Sequence, residues 1–339
     1  MVRIVDIAKR VNRSITTVSR ALNGYEDVSP ETRQLIIDTA EEMGYTPNSI
    51  AQLLQRKQTM TIGLVLPTFS PRFSDPYFSE LLAGIGNKAA ELGYDLLVST
   101  RPPGEEEMDY YKKLSAGGRV DGFIVIRTRT NDARIRLLVD RKFPFVAFGR
   151  SAYDPESSFV DEDGHLGMQL IAEHLSSLGH KRIACITSNR DFTFTHHRLN
   201  GLLDGLAKAG LEIEPGSILE GDLTQKSGYE LGSELLERKQ RPTAIAAFND
   251  LMAFGVMSAA QERGLSVGKD ISVTGFDGIP MGEYSHPPLT TVSQPIYKIG
   301  AMTCEMLVKA LQSDSPAKEQ ILLQPSLIVR QSTGAASPG

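Results

Sequence analysis

Ser14-Ile15-Thr16-Thr17-Val18-Ser19-Arg20-Ala21-Leu22-Asn23-Gly24 is a helix written with its own start and stop. The Ser14 hydroxyl can accept a backbone N–H of the first turn, and Asn23-Gly24 supplies residues that tolerate a left-handed end. Val18, Ala21 and Leu22 fall on one side at helical spacing, so that side is expected to be buried. Ile15, Thr16, Thr17, Ser19 and Arg20 are then expected to face outward.

Upstream, Ile4, Ile7, Ala8 and Val11 make a second apolar stripe, with Asp6 near its start, where a carboxylate is favoured by the helix dipole. Asn12 and Arg13 interrupt it. Downstream, Ser29-Pro30-Glu31-Thr32 opens a third helix that runs through Leu35, Ile36, Thr39, Ala40 and Met43 to Gly44. Three short helices, the first two joined by a tight turn, predict a helix-turn-helix whose second helix lies in the DNA major groove. There Arg20 can pair with guanine or grip phosphate, the hydroxyls of Thr16, Thr17 and Ser19 suit phosphate, and Ile15 can pack on a thymine methyl. A three-helix bundle with an ordinary polar face satisfies the same spacing.

Charge narrows the choice. The 339-residue chain carries 36 Lys and Arg against 41 Asp and Glu, a formal charge of −5, which excludes a uniformly basic nucleic-acid coat. The distribution is uneven. Residues 1–20 hold five cations, among them Arg13 and Arg20, against Asp6 alone. Residues 21–50 hold Arg33 against six carboxylates, and Arg56 and Lys57 add a second basic spot. A polarised module of this kind suits phosphate contact on one face.

The run Asp6-Ile7-Ala8, the helix from Ser14 to Gly24, Val28-Ser29-Pro30-Glu31-Thr32-Arg33 and Gly44-Tyr45-x-Pro47-Asn48 together resemble the headpiece of the lactose/galactose repressor (LacI/GalR) family of transcription regulators. The resemblance implies an operator-binding regulator that places Ile15, Thr16, Thr17, Ser19, Arg20 and Asn23 at the DNA, with Arg13 as a further phosphate contact. Two positions depart from the family. Val11-Asn12-Arg13 replaces the usual Ala-Gly-Val, and Arg3 stands where a threonine usually caps the first helix. Residues 48–58 resemble the family's hinge helix, in which Ala51 and Leu54 match the pair that opens a central base step from the minor groove, a known use of apolar wedges.

From Thr61 onward, short apolar strands alternate with helices, and many helices close at a glycine (Gly93, Gly179, Gly210, Gly264). Expected strands are Ile62–Leu66, Asp95–Val98, Gly122–Ile126, Phe145–Phe148, Arg182–Ile186, Ala244–Phe248 and Ile271–Gly275. Helices are expected near 77–92, 105–116, 132–141, 164–178, 198–209, 227–238, 250–263 and 296–311. Such alternation predicts an α/β core of two doubly wound lobes, with ligands bound outside the carboxyl ends of the strands. The resemblance likewise implies a core like that of periplasmic sugar-binding proteins. The expected domains are a headpiece over 1–46, a hinge over 47–59, a first lobe over 60–160 plus 291–319, a second over 161–290 plus 320–332, and a tail over 333–339.

Four stretches match the family where its effector cleft lies. Asp161 ends a crossover strand, Arg198 begins a helix after a polar loop, Asn249 follows a strand, and Asp277 follows Thr274-Gly275-Phe276. Carboxylates, Asn and Arg at strand ends can make paired hydrogen bonds to vicinal hydroxyls. Tyr77, Phe78, Phe192 and Phe194 can pack on the apolar faces of sugar rings, which favours a saccharide over a nucleobase. Arg150 is a further candidate contact. Leu223 stands where one member of the family carries a stacking tryptophan, which argues against that member's galactoside specificity.

The expected function is therefore a repressor of a carbohydrate operon, acting as a homodimer on palindromic double-stranded DNA, with a mono- or disaccharide effector, an α-glucoside being the first guess. An exported solute-binding protein and a sugar-modifying enzyme are the rivals, and a nucleobase the rival effector. The start MVRIVDIAKR has no signal-peptide core and no apolar run reaches 18 residues, so a soluble cytoplasmic chain is expected, clear of membranes. No heptad follows Arg330, which favours a dimer over a tetramer. No cofactor, metal or catalytic residue is expected. Gly84-x-Gly86 sits inside a predicted helix, His196-His197 lacks zinc-pair spacing, and neither a Gly-x-Ser-x-Gly elbow nor a Walker loop occurs. Cys185 and Cys304 fall in apolar runs and are expected to be buried.

Overall fold

The computed structural model describes residues 2–23, 25, 27–45, 58–68 and 75–336. Gly24 and most of the expected hinge, with Ala51 and Leu54, lie outside the described residues. The chain divides into two units, 1–59 and 60–339.

In the first unit, α1 (Ile4–Arg10), α2 (Ile15–Leu22) and α3 (Pro30–Glu42) surround a small core. Ile7, Val18 and Ile36 are fully buried at its centre, joined by Ala8, Ala21, Val28 and Ala40. Ser14 Oγ accepts the Thr17 N–H at 3.0 Å and Ser29 Oγ that of Thr32 at 3.4 Å. Such caps contribute about 1 kcal/mol each. The two departures from the family pattern have simple outcomes. Arg3 has no acceptor with which to cap α1, so Asp6 reaches back instead and accepts the Arg3 backbone N–H at 2.9 Å. Asn12 stands where the family has glycine and adopts φ +48°, a left-handed conformation that asparagine tolerates better than most residues.

In the second unit β1 (Thr61–Pro67), β2 (Asp95–Arg101), β3 (Gly122–Val125), β4 (Phe145–Phe148) and β5 (Ser158–Glu162) build one sheet. The strands β6 (Ile183–Thr187), β7 (Ile218–Glu220), β8 (Ala244–Ala247), β9 (Ser272–Asp277) and β10 (Thr290–Ser293) build the other. With β11 (Gln320–Leu323) and β12 (Ser326–Ile328) the orders become 11-5-4-3-1-2 and 12-10-9-8-6-7. Neighbours are parallel except β12, which runs antiparallel to β10. Helices cover both faces, so central strands such as β3 and β8 are buried throughout and are apolar at every position.

The lobes exchange chain differently from the expectation. The stretch 320–332, assigned whole to the second lobe, holds two strands, with β11 joining the first sheet beside β5 and β12 the second. Pro325 lies between them and has no N–H to give a ladder, so the chain leaves one sheet there and enters the other. Thr291–Ser293, assigned to the first lobe, instead pairs with β9 in the second. The chain returns to the first lobe only after Pro295, as the helix Ile296–Gln312.

Gly84 is helical, inside Pro76–Glu91, and a Cβ there would run into the Tyr297 carbonyl of Ile296–Gln312. It is thus a close-packing glycine rather than part of a phosphate loop. Gly93, Gly179, Gly210 and Gly264 all take positive φ just past their helices. Both cysteines are buried.

Arg134, fully buried, anchors one wall of the interlobe space. It forks onto Asp132 at 2.9 and 2.7 Å, donates to Glu107 at 3.0 Å, and donates to the Arg127 carbonyl at 3.0 Å. The segment it holds then crosses between lobes, the Thr193 N–H donating to the Thr128 carbonyl and the Thr130 N–H to the Asp191 carbonyl, both at 3.1 Å.

Candidate functional site

In the first unit, burying Val18 and Ala21 against α1 and α3 turns the opposite side of α2 to solvent. Ile15 is 50% exposed, Arg13, Thr16 and Arg20 are exposed, and Thr17, Ser19 and Asn23 are half-buried. Thr17 Oγ1 bonds Ser14 Oγ at 2.8 Å, and Asn23 Nδ2 donates to the Ser19 carbonyl at 2.8 Å, so these two side chains brace the helix ends. The Arg20 guanidinium pairs with Asp27 at 2.8 Å and lies 5.4 Å from the Tyr25 ring centre, both partners at the surface. Exposed pairs of this kind are weak and are readily exchanged for a phosphate or a base edge. An apolar side chain, hydroxyls and an arginine on one exposed helix face can read DNA.

Within the second unit a cleft opens between the lobes at the carboxyl ends of their parallel strands, enclosing about 580 Å³ with its open solvent. From the first lobe come Asp75, Tyr77 and Phe78 at the start of Pro76–Glu91, Arg127 after β3, Phe148 on β4, and Asp161 and Glu162 at the end of β5. From the second come Phe194 and Arg198 on the helix Thr193–Lys208, Leu223 after β7, Asn249 after β8, and Asp277 ending β9. Six described non-glycine residues take positive φ, and Arg127 (+49°), Leu223 (+69°) and Asp277 (+123°) are three of them. Such backbone costs of order 1–3 kcal/mol per residue and tends to gather at functional sites.

Arg198 is the centre of the arrangement. Its guanidinium lies 3.6 Å from the Phe276 ring centre and 4.9 Å from that of Phe194. It donates to the Phe248 carbonyl at 2.5 Å and to Glu162 of the other lobe at 3.0 Å, and lies 3.7 Å from Asp277. Its Nε is buried with no protein acceptor. Burial pushes the Asp277 carboxyl well above the usual range, although Arg198 opposes the shift. The Asp161 carboxyl is likewise pushed well up by burial and by the neighbouring Glu162 charge, against Arg150. Carboxyls raised in this way can both donate to and accept from a hydroxyl. Asp75 is raised by burial and caps its helix, accepting the Tyr77 N–H at 3.1 Å. Tyr77 and Phe148 are nearly parallel, 6.3 Å apart, and give the cleft an apolar wall.

Several sequence expectations are placed differently. Arg198 sits in the second turn of Thr193–Lys208 rather than at its start, because the helix begins five residues earlier than expected. Arg150 does not line the cleft. It supports Asp161 from behind, Nε to Oδ2 at 2.7 Å. Phe192 is also outside it, buried and stacked on Phe194 at 5.4 Å. Asn249 does line the cleft but is largely spent, its Oδ1 capping Met252 and its Nδ2 donating to the Leu223 carbonyl. Arg127, Glu162 and Phe148 were missed. Glu162 adjoins the chosen Asp161 and Phe148 stands two residues before the chosen Arg150, whereas Arg127, just past a strand end, gave only that placement as a signal. Among the described residues no group of His, Cys, Asp and Glu is placed to hold a metal ion, and no helix is long and apolar enough to cross a membrane.

Comparison with known proteins agrees with this geometry. A family model described as "Bacterial regulatory proteins, lacI family" matches residues 3–48, and one described as "Periplasmic binding protein-like domain" matches 172–333. The HTH-type transcriptional regulator AglR of Rhizobium meliloti (strain 1021) is 36% identical over 339 residues, spanning 99% of this chain and 95% of its own. The crystal structure of the lac repressor dimer bound to operator and the anti-inducer ONPF superposes with a TM-score of 0.86 at 30% identity, covering 98% of this chain and 99% of that one. A complex of the transcriptional regulator CelR with cellobiose gives 0.76 at 29% identity, covering 98% and 100%.

Proposed function

As the chain belongs to the lacI family of DNA-binding transcriptional regulators, we propose that it represses a carbohydrate uptake or utilisation operon under the control of a small sugar bound between the core lobes. The observation that carries the sugar reading is the lining of the cleft. Asp161, Glu162, Asp277 and Arg198 offer hydrogen-bonding groups in pairs, and Tyr77, Phe78, Phe148 and Phe194 offer ring faces. Hydroxyls on a saccharide match the first set and its C–H faces match the second. The CelR complex with cellobiose, on the same fold, supports that reading.

The chain acts as a homodimer whose two headpieces read the half-sites of a palindrome through Ile15, Thr16 and Arg20. Two observations support the dimer. The lac repressor in the operator complex is a dimer, and in this chain Met281 and Tyr284, 49% and 74% exposed, form an apolar spot on the second lobe. Sugar and operator then influence each other's affinity by the same factor.

A thermal-shift screen of the full chain tests the effector reading. At ten times its Kd, a bound sugar stabilises the core by about 1.4 kcal/mol and raises the melting temperature by a few degrees. Shifts with adenine, hypoxanthine or nucleosides and none with any sugar would replace the saccharide by a nucleobase.

A further inference from the structure

A second depression, about 910 Å³ with its open solvent, lies beside the cleft. Arg127 and Leu223 line both spaces, so the two share a boundary. The outer one is built from strand ends of the second lobe, with Phe192 on one side and Glu220, Asp222 and Glu230 on the other. Phe192 is the residue that the inner cleft leaves out. Its ring lies 5.4 Å from that of Phe194, tilted by only 12°, so one aromatic pair lines the two spaces, Phe194 the inner and Phe192 the outer.

The outer space presents the carboxylates of Glu220, Asp222 and Glu230 as hydrogen-bond acceptors. Asp222 Oδ1 accepts from the Thr224 N–H at 2.9 Å and from its hydroxyl at 2.6 Å. Against burial, hydrogen bonds from the Thr224 and Ser227 hydroxyls and from backbone N–H groups hold its carboxyl below the usual range and keep it ionised. Glu220 and Glu230 are exposed and make long surface ion pairs, with Arg190 at 3.9 Å and Lys226 at 3.6 Å. Of the charged side chains that line the outer space three are carboxylates and one, Arg127, is a cation, a lining that disfavours a phosphate or carboxylate group. A neutral ligand with many hydroxyls and an apolar ring face suits it. Leu223 stands at the boundary and gives it an apolar side chain.

We propose that the two spaces are consecutive subsites, and that the effector is a neutral oligosaccharide of at least two units, one in the inner cleft and the next in the outer space beside Phe192. This rests on the sugar reading of the cleft. Isothermal titration of the full chain with glucose, galactose, maltose, cellobiose, trehalose, maltotriose and glucose 6-phosphate tests it. At least one di- or trisaccharide should bind ten times more tightly than either monosaccharide, and glucose 6-phosphate should not bind. The double variant Glu220→Ala/Glu230→Ala, altering two exposed side chains, should lose at least fivefold in oligosaccharide affinity while monosaccharide affinity is unchanged. Should that variant melt earlier than the parent, Asp222→Asn gives the same comparison. Monosaccharides binding as tightly as every longer sugar, or oligosaccharide affinity indifferent to these substitutions, would overturn the second subsite and leave the cleft reading intact. Binding of no sugar at all would overturn both.

Discussion

Arg198→Ala should abolish sugar binding and destabilise the core by about 3–5 kcal/mol, the usual cost of leaving buried charges without their partner. For a unit of this size that lowers the melting temperature by roughly 5–9 °C. The arginine is 5% exposed, and its removal leaves Glu162 and Asp277 facing each other across the lobes with no cation between them. The pH dependence has a definite sign. Burial already raises the Asp277 carboxyl well above its unfolded value, so its contribution to stability is full below about pH 4 and is lost as pH rises through the folded value. Without Arg198 the folded value climbs further, so the deficit of the variant should be largest near pH 7 and shrink as pH falls toward 4. Arg198→Lys keeps the charge but loses the planar fork and the ring stacking, and should recover stability better than sugar affinity. Urea unfolding at pH 4 to 8, with titration of the sugar found by the screen, checks each part. A variant of normal stability that still binds sugar would remove Arg198 from the site.

Arg20→Ala should weaken operator binding ten- to a hundredfold, equivalent to about 1–3 kcal/mol for one specific arginine contact. Sugar affinity and core stability should not change, since Arg20 lies in the other unit and is half exposed. Salt distinguishes its two possible roles. If Arg20 grips phosphate, the dependence of affinity on salt becomes shallower by about one counterion and all sequences suffer alike. If it reads a base, the loss falls on the operator and largely spares random duplex. Fluorescence anisotropy at several salt concentrations separates these outcomes, and unchanged affinity at every concentration would take Arg20 off the DNA.

The headpiece was legible because each helix announces itself locally, with Ser14 and Ser29 as caps, Pro30 at a first position, and Val18, Ala21 and Ile36 at core spacing. The core strands were legible where they are apolar throughout, as at Gly122–Val125 and Phe145–Phe148. Three short strands were harder. Ser158–Glu162, Ile218–Glu220 and Thr290–Ser293 carry Ser, Thr, Asp or Glu, and they are strands because of what lies beside them in the sheet. The division at Pro325 is of the same kind, since a ladder partner is a tertiary fact. In the cleft, Asp161, Asn249 and Asp277 were reachable from strand ends. Arg150 and Phe192 fall outside the inner cleft, Phe192 lining the space beside it, because sequence puts a side chain near a site without showing which way it points. Arg127 escaped because its place depends on buried Arg134 holding its carbonyl.

The central claim is that one chain reads DNA with its first unit and senses a sugar with its second. Its most direct test is the affinity of the full chain for DNA selected from a random pool, measured with and without each sugar that binds the core. A specific duplex should be preferred over random DNA by at least a thousandfold at physiological salt, and one sugar should change that affinity at least tenfold, with the operator changing the sugar's affinity by the same factor. Equal affinity for selected and random duplex, or a specific affinity that no bound sugar alters, would contradict it.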